Sequence, residues 1–218
     1  MRSLASAALL ACAACAGSTA ASSGAPPEAI DAWAGTHELL AELERGVPTE
    51  VPRDAFHLRL SLEPEGAYRL REWERGTWQR DRSGTARREG HRLILDGAGA
   101  EPLELWLDPE GRRACLDGAV ATAPAEDLEG THRLTERLRE GRPADQPYGT
   151  LTLEPAGRFR FEAPGGGGVT EGRYEVENGL LWLRAGDRPA RAMAYWFADG
   201  RLVVCEGSFR ARPVPEPS

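Results

Sequence analysis

The chain has 218 residues and a formal net charge of −7, and 41% of its residues are hydrophobic. This length is enough for one medium domain or two small ones, and the hydrophobic content is ordinary for a soluble globular protein. The negative charge argues against a nucleic-acid partner, which would need a basic face. All 27 residues in the Lys+Arg total are arginine, so no lysine can act as a Schiff-base nucleophile or a phosphate anchor.

Residues 1–14 have the pattern of a secretory signal segment. One arginine precedes a short apolar run, and small residues surround Cys12 and Cys15. The run is too short to span a bilayer as a mature helix. The letters Leu-Leu-Ala before Cys12 resemble the lipobox of bacterial lipoproteins. That resemblance implies cleavage before the cysteine and its acylation, with Cys15 as the rival site and an unlipidated secreted protein as the alternative.

Residues 15–30 are small, polar and proline-containing, which is typical of a flexible tether. The lipobox resemblance implies a membrane partner, reached through N-terminal acyl chains whose methylenes each contribute about 0.8 kcal/mol on burial. Neither Cys12 nor Cys15 is followed by aspartate. In enterobacterial lipoproteins this implies the outer membrane, so we expect a lipid-anchored protein of the cell envelope that faces the periplasm or the exterior.

A repeat organises the rest of the chain. Residues 35–46, GTHELLAELERG, return as GTHRLTERLREG at 130–141, with six of the twelve letters identical. The similarity continues along both halves, so we expect repeat 1 at 31–118, a linker at 119–126, repeat 2 at 127–212 and a tail at 213–218. A period of about 90 residues is too long for a solenoid and indicates duplication of a small domain, or of half a larger one.

Both repeats show the alternation that is typical of β-strands. Leu58, Leu60 and Leu62 fall on one face of an extended chain, with polar residues between them. Turn sequences such as Glu-Pro-Glu-Gly at 63–66 and Asn-Gly at 178–179 separate the alternating segments. We therefore predict an antiparallel meander of short strands.

The opening stretch of each repeat fits a helix by propensity, and a family resemblance favours a strand. The letters Gly-Thr-His at 130–132, the segment 151–161 and Gly-Arg-Tyr at 172–174 resemble the lipocalin-like domain of bacteria. That family is a small up-and-down β-barrel with a Gly-Thr-Trp opening strand, and His37 and His132 stand where it has tryptophan. The resemblance implies an all-β chain of two tandem meander barrels, with one large barrel or sandwich as the alternative.

No motif in the sequence indicates catalysis. The histidines are too scattered for a metal signature, and no Gly-x-Ser-x-Gly nucleophile motif is present. We therefore expect neither an enzyme nor a bound cofactor or metal. An envelope hydrolase, with titratable groups around His57 or His91, is the weakest functional alternative.

Four residues are candidates for binding. Trp106 and Trp196 lie in matching strands, and His37 and His132 lie at matching positions of the two opening strands. Trp106 would face outward, towards an interface with the other domain or with a partner, and the histidines would lie at the barrel mouths; ordinary core packing is the alternative for all four. We expect non-covalent binding of an envelope protein, or a structural role. Carriage of a small apolar ligand in a barrel cavity is the alternative, although small barrels usually fill their interiors with side chains.

The cysteines leave open whether a disulfide forms. If Cys15 is acylated, Cys12 leaves with the signal segment and Cys115 and Cys205 remain as a pair; if Cys12 is acylated, three cysteines remain. Counted from the preceding turn glycines, Cys115 matches Val204 rather than Cys205. The two cysteines would then point to opposite faces of their strands. This count favours two separate thiols over a Cys115–Cys205 disulfide.

Overall fold

Short strands joined by tight turns make up both repeats. The computed structural model describes residues 33–49, 57–74, 77–97 and 101–215, so the signal segment and tether with Cys12 and Cys15 lie outside the described residues. Repeat 1 contains β1 (Gly35–Ala41), β2 (Leu43–Glu44), β3 (Val47–Pro48), β4 (His57–Leu62), β5 (Ala67–Glu74), β6 (Thr77–Glu89), β7 (Arg92–Gly97), β8 (Leu103–Leu107) and β9 (Arg113–Ala121). Repeat 2 contains β10 (Gly130–Arg139), β11 (Arg142–Pro143), β12 (Gly149–Glu154), β13 (Arg158–Glu162), β14 (Val169–Glu177), β15 (Leu180–Arg184), β16 (Arg191–Ala198) and β17 (Arg201–Pro213). No α-helix occurs among the described residues, and the all-β prediction is confirmed.

The opening stretch of each repeat forms a strand, β1 or β10, where helix propensity alone would favour a helix. Leu39 and Ala41 are buried, while Glu38 and Leu40 between them are half-buried. β1 pairs antiparallel with β4, and β10 pairs antiparallel with β12. Pairing and alternate burial decide for the strand, because propensity is a weak preference that tertiary contacts override.

Hydrogen bonding joins fifteen strands into one antiparallel sheet that closes on itself. In each repeat, seven strands follow one another as a meander: β1, β4, β5, β6, β7, β8 and β9 in repeat 1, and β10, β12, β13, β14, β15, β16 and β17 in repeat 2. Two further pairings, β1 with β17 and β9 with β10, close the sheet. The result is two closed circuits of strands. Ring 1 contains the seven strands of repeat 1 together with β17, and ring 2 contains the seven strands of repeat 2 together with β9.

The strands β9 and β17 belong to both rings. The beginning of β9 pairs with β8 through Cys115, and its end pairs with β10 through Ala121. In the same way β17 pairs first with β16, through Val203, and then with β1, through Ala211. Along their other edges β9 and β17 pair with each other. Each repeat therefore contributes the last part of its final strand to the ring of the other repeat.

The shared strands correct the boundary that the sequence predicts between the repeats. Residues 119–126 were expected to be a linker, but Ala119, Val120 and Ala121 form the end of β9 and are at most 1% exposed. The physical reason is that these small apolar side chains pack on both faces of the strand, Ala119 inside ring 2 and Val120 between the rings. The linker is shorter than predicted, and β17 likewise extends to Pro213, the first residue of the predicted tail.

The pairing of β9 with β17 is symmetric about its centre. Cys205 pairs with Gly118, and Ser208 pairs with Cys115. Each cysteine therefore lies opposite the residue three positions after the other cysteine in sequence. At this centre Cys115 and Cys205 form a disulfide, with their Cα atoms 5.9 Å apart. This corrects the count that favoured two separate thiols. The count failed because the register between β9 and β17, and not the length of the preceding turns, decides which side chains meet.

Hydrophobic side chains form three clusters. Ring 1 encloses the first, which includes Leu39, Leu60, Leu93, Leu105 and Phe209. Ring 2 encloses the second, which includes Leu134, Leu151, Leu153, Leu181 and Val204. The third lies between the rings and includes Trp106, Cys115, Leu138, Trp196 and Cys205. Because the inward leucines of both rings are almost completely buried, the chain's own side chains fill the two interiors.

The hairpin that follows each opening strand packs on the other repeat. Gly46, at the tip between β2 and β3, accepts a hydrogen bond from the N–H of Ala192 (2.8 Å) and donates one to the carbonyl of Glu206 (2.9 Å). Gly141 makes an equivalent pair of backbone hydrogen bonds to β8 and β9, at 2.7 and 2.8 Å. Both glycines have a positive φ. The glycine that ends the repeated stretch in both copies therefore serves a contact between the repeats.

Candidate functional site

The four side chains that the sequence proposes for binding are all buried. Their exposed fractions are 2% for Trp106, 8% for Trp196, 6% for His37 and 5% for His132. The two tryptophans lie in the cluster between the rings, and the indole N–H of Trp106 donates to Oε1 of Glu104 at 2.7 Å. Burial leaves little of these side chains for a partner to contact, and a binding role for them stays a prediction.

The two histidines lie among core residues at the start of the opening strands. The ring of His37 packs against that of Trp33, with centroids 5.0 Å apart, and Nε2 of His132 lies 2.9 Å from the carbonyl oxygen of Leu128. Burial lowers the pKa of His37, which favours its neutral form. Both positions fit the core-packing alternative that the sequence left open.

The outer face of ring 1 carries aromatic and arginine side chains that the sequence did not single out for binding. We name this group the Trp–Arg patch: it consists of His57 and Arg59 of β4, Arg71 and Trp73 of β5, and Trp78 of β6. Trp73 and Trp78 meet edge to face with their centroids 5.0 Å apart, and the guanidinium carbon of Arg71 lies 4.1 Å from the Trp78 ring centroid. All five side chains are half-buried. The patch therefore keeps part of its surface in contact with solvent.

Ion pairs hold the arginines of the Trp–Arg patch in place. Arg59 donates to Oε1 of Glu38 at 2.7 Å, and Nε of Arg71 lies 3.8 Å from Oδ2 of Asp81. Arg212 and Arg59 donate hydrogen bonds to Glu38, and these bonds lower its pKa. Both guanidinium groups therefore lie beside a carboxylate, and Arg71 also stacks on the Trp78 indole ring in a cation–π contact.

Repeat 2 has no counterpart of this patch on the same strands. The shared Leu-Glu-Pro-x-Gly turn aligns β4 with β12 and β5 with β13. Thr150 then stands where repeat 1 has Arg59, and Glu162 stands where it has Arg71. Arg160 of β13 pairs with this Glu162, at 2.9 Å. The sequence signal for the difference was present in the letters WERGTW, residues 73–78, which have no equivalent in the second copy.

A buried carboxylate joins the two repeats on the other side of ring 1. Glu42 accepts hydrogen bonds from Nε of Arg113 at 2.9 Å and from Nε of Arg210 at 2.7 Å. Burial acts to raise the pKa of Glu42, but the two guanidinium groups outweigh it and lower that pKa below its ordinary value. No sequence signal could identify this cluster, because its members lie 71 and 168 positions apart.

A histidine and an aspartate form a second polar contact between the repeats. Nδ1 of His91, in the turn before β7, lies 2.7 Å from Oδ2 of Asp199, in the turn before β17. The hydrogen bond from His91 lowers the pKa of Asp199. The other histidine of the hydrolase alternative, His57, lies in the Trp–Arg patch, so the structure does not bring the two together. In the part of the chain that the structure describes, no three or more His, Cys, Asp or Glu side chains form a group that could hold a metal ion.

No protein-family model matches the chain, and no curated protein or solved structure matches it. Among residues 33–49, 57–74, 77–97 and 101–215, no helix is both long and apolar enough to cross a membrane. Function is therefore inferred from the geometry: two filled rings, a half-buried Trp–Arg patch on one of them, and polar contacts that tie the repeats together.

Proposed function

We propose that the protein is a lipid-anchored component of the bacterial cell envelope that binds a protein partner through the Trp–Arg patch, without catalysis. Two lipocalin-like barrels, fused through β9 and β17, would present this patch to the partner. The anchor would be an acylated cysteine, Cys12 or Cys15, at the end of the tether. The lipobox-like letters before these cysteines support the anchor.

The filling of both rings is the observation that carries a surface-binding role. A carrier needs an internal cavity that can enclose most of its ligand. Leu60 and Leu105 in ring 1, and Leu134 and Leu181 in ring 2, are completely buried by neighbours from the same ring. Expelling such side chains to admit a ligand would cost about 1.5–3 kcal/mol for each side chain exposed. The outer faces are therefore better placed for binding than the interiors.

The chemistry of the Trp–Arg patch favours a protein as the partner. Tryptophan and arginine, together with tyrosine, are enriched among the residues that dominate binding energy in protein interfaces. Trp73 and Trp78 offer large rigid rings, and Arg71 is already ordered by its contact with Trp78. Little side-chain entropy would then be lost when a partner covers them.

Photo-crosslinking in intact cells tests the surface directly. A photoreactive phenylalanine analogue replaces Trp78, and the matched control replaces Arg160, which is exposed on β13 of repeat 2. We expect a discrete protein adduct from position 78 and none from position 160. Absence of an adduct at position 78, or the same adducts from both positions, would contradict the proposal.

The anchor and the carrier alternative have their own tests. Metabolic labelling with a fatty-acid analogue should mark the wild-type protein, and Cys12→Ser and Cys15→Ser should identify the acylated residue by loss of label. An unlabelled, uncleaved wild-type chain would end the anchor proposal. Native mass spectrometry of the gently extracted protein should show no bound lipid; a stoichiometric lipid adduct would instead favour the carrier.

A further inference from the structure

A cleft of about 420 Å³ lies where the two repeats meet, away from the Trp–Arg patch. This volume lies within the range of about 300–1,000 Å³ that small-molecule sites occupy. Arg45 and the centre of β9 contribute the wall from repeat 1, and β10, β16 and β17 contribute the wall from repeat 2. The side chains that matter for its chemistry are Arg45, Arg137, Arg139, Tyr148, Arg191 and Glu206.

Most of the guanidinium groups in this cleft have no carboxylate partner. Arg191 lies 3.5 Å from Oε1 of Glu206. Within the described residues, no carboxylate forms an ion pair with Arg45, Arg137 or Arg139, whereas many other arginines of this chain are paired with one. A guanidinium group without a carboxylate partner presents a planar pair of N–H donors, which matches the two oxygens of a carboxylate or phosphate group.

An aromatic wall accompanies these charges. The guanidinium carbon of Arg137 lies 5.6 Å from the centroid of the Tyr148 ring, and both side chains are half-buried. Burial raises the pKa of Tyr148 well above its ordinary value, and the neighbouring charge of Glu206 acts in the same direction. Tyr148 therefore stays neutral and adds no negative charge to the cleft.

The other carboxylates of the cleft do not cancel its arginines. Oδ1 of Asp117 accepts a hydrogen bond from the backbone N–H of Glu140 at 2.7 Å, so it orders the turn that follows β10. Counting Asp117, Glu140 and Glu206 against four arginines, the lining still carries a formal charge of +1. On a chain whose net charge is −7, a concave positive site would concentrate small anions locally.

We propose that this cleft binds a small organic anion with carboxylate or phosphate groups, held by Arg137 and Arg139 from β10 and by Arg45 from the opposite repeat. The aromatic ring of Tyr148 would support the non-ionic part of the ligand. Because residues of both repeats line the cleft, the bound anion would also strengthen the contact between them. This site is separate from the Trp–Arg patch, so either proposal can fail while the other stands.

Calorimetric titration of the mature protein in neutral detergent tests the site, with citrate and inorganic pyrophosphate as the probes. At least one probe should bind saturably with one site per chain. Arg137→Gln should weaken that binding about tenfold or more, since a hydrogen bond to a charged group contributes about 1.5–3 kcal/mol. The matched control is Arg133→Gln, which removes the same charge from an exposed position of β10 outside the cleft and should leave the affinity within about twofold.

A third arm distinguishes a free anion from a lipid headgroup, since both present the same oxyanion chemistry. Short-chain phosphatidylglycerol, titrated in the same detergent, should bind with the same dependence on Arg137 if the natural source is a headgroup. Arg137-dependent binding of any of the three probes supports the site. No binding of any of the three, or binding that Arg137→Gln weakens no more than Arg133→Gln does, overturns it.

Discussion

Removing the Cys115–Cys205 disulfide should destabilise the fold while leaving its topology intact. The two cysteines are 90 positions apart, so the bond closes a long loop in the unfolded chain. Loop-closure entropy for about 90 residues corresponds to about 4–5 kcal/mol at 25 °C. The double variant Cys115→Ala, Cys205→Ala should therefore lose about 4 kcal/mol of unfolding free energy. It should still fold, because β9 and β17 remain joined by backbone pairing from Val203 to Arg210.

Urea denaturation followed by tryptophan fluorescence measures this loss, and the reduced wild type provides the matched comparison. For a chain of this size, about 4 kcal/mol corresponds to a fall in Tm of roughly 10 °C. The oxidised wild type should be the most stable species, and the reduced wild type and the double variant should unfold together. Equal midpoints for all three would refute the reasoning, as would alkylation of Cys115 or Cys205 in the native, unreduced protein.

Three further changes test other parts of the structure. Glu42→Gln should lower the free energy of unfolding by about 3 kcal/mol, because it leaves two guanidinium groups without their buried carboxylate, whereas Glu154→Gln at an exposed pair should lower it by less than about 1 kcal/mol. Since the pKa of Glu42 is lowered on folding, the stabilisation by Glu42 should disappear as the pH falls through that pKa. Equal losses in the two variants would argue against a buried cluster. Gly141→Ala should destabilise the fold by about 1–3 kcal/mol more than Gly200→Ala. Both glycines have φ near +70°, but only at Gly141 would a Cβ come within 2.3 Å of a leucine methyl group of β8. Equal melting temperatures for the two variants would disprove the packing contact. Burial lowers the pKa of the His37 imidazole, so the folded state binds a proton there less well than the unfolded state does. The free energy of unfolding should therefore fall as the pH drops below about 6.5. His37→Gln should reduce this fall, and an unchanged pH dependence would exclude His37 as its cause.

The all-β class and the repeat could be predicted from the sequence because they depend on local patterns. Alternation at Leu58, Leu60 and Leu62 is enough to assign strand β4, since one face of that strand must be buried. The Asn-Gly pair at 178–179 is enough to place a tight turn, since both residues there adopt a positive φ. Neither inference requires knowledge of which segments meet in space.

The candidate site depended on contacts that the sequence does not encode locally. Trp73 and Trp78 were visible as letters, but their edge-to-face contact with Arg71 nearby follows from the register between β5 and β6. The cleft around Arg137 needs Arg45 from the other repeat, 92 positions earlier in the chain by their numbers. Side chains so far apart can be assigned to one site only when the strands are paired.

The sequence by itself determined that a β-rich unit occurs twice, because period-two alternation and turn residues are local properties that each copy repeats. Only the tertiary structure decided that the two units exchange the ends of β9 and β17, and that Cys115 meets Cys205 at the centre of that pairing. The physical reason is that strand register is set by long-range hydrogen bonds and by burial on both sides of the sheet, which no short segment specifies alone.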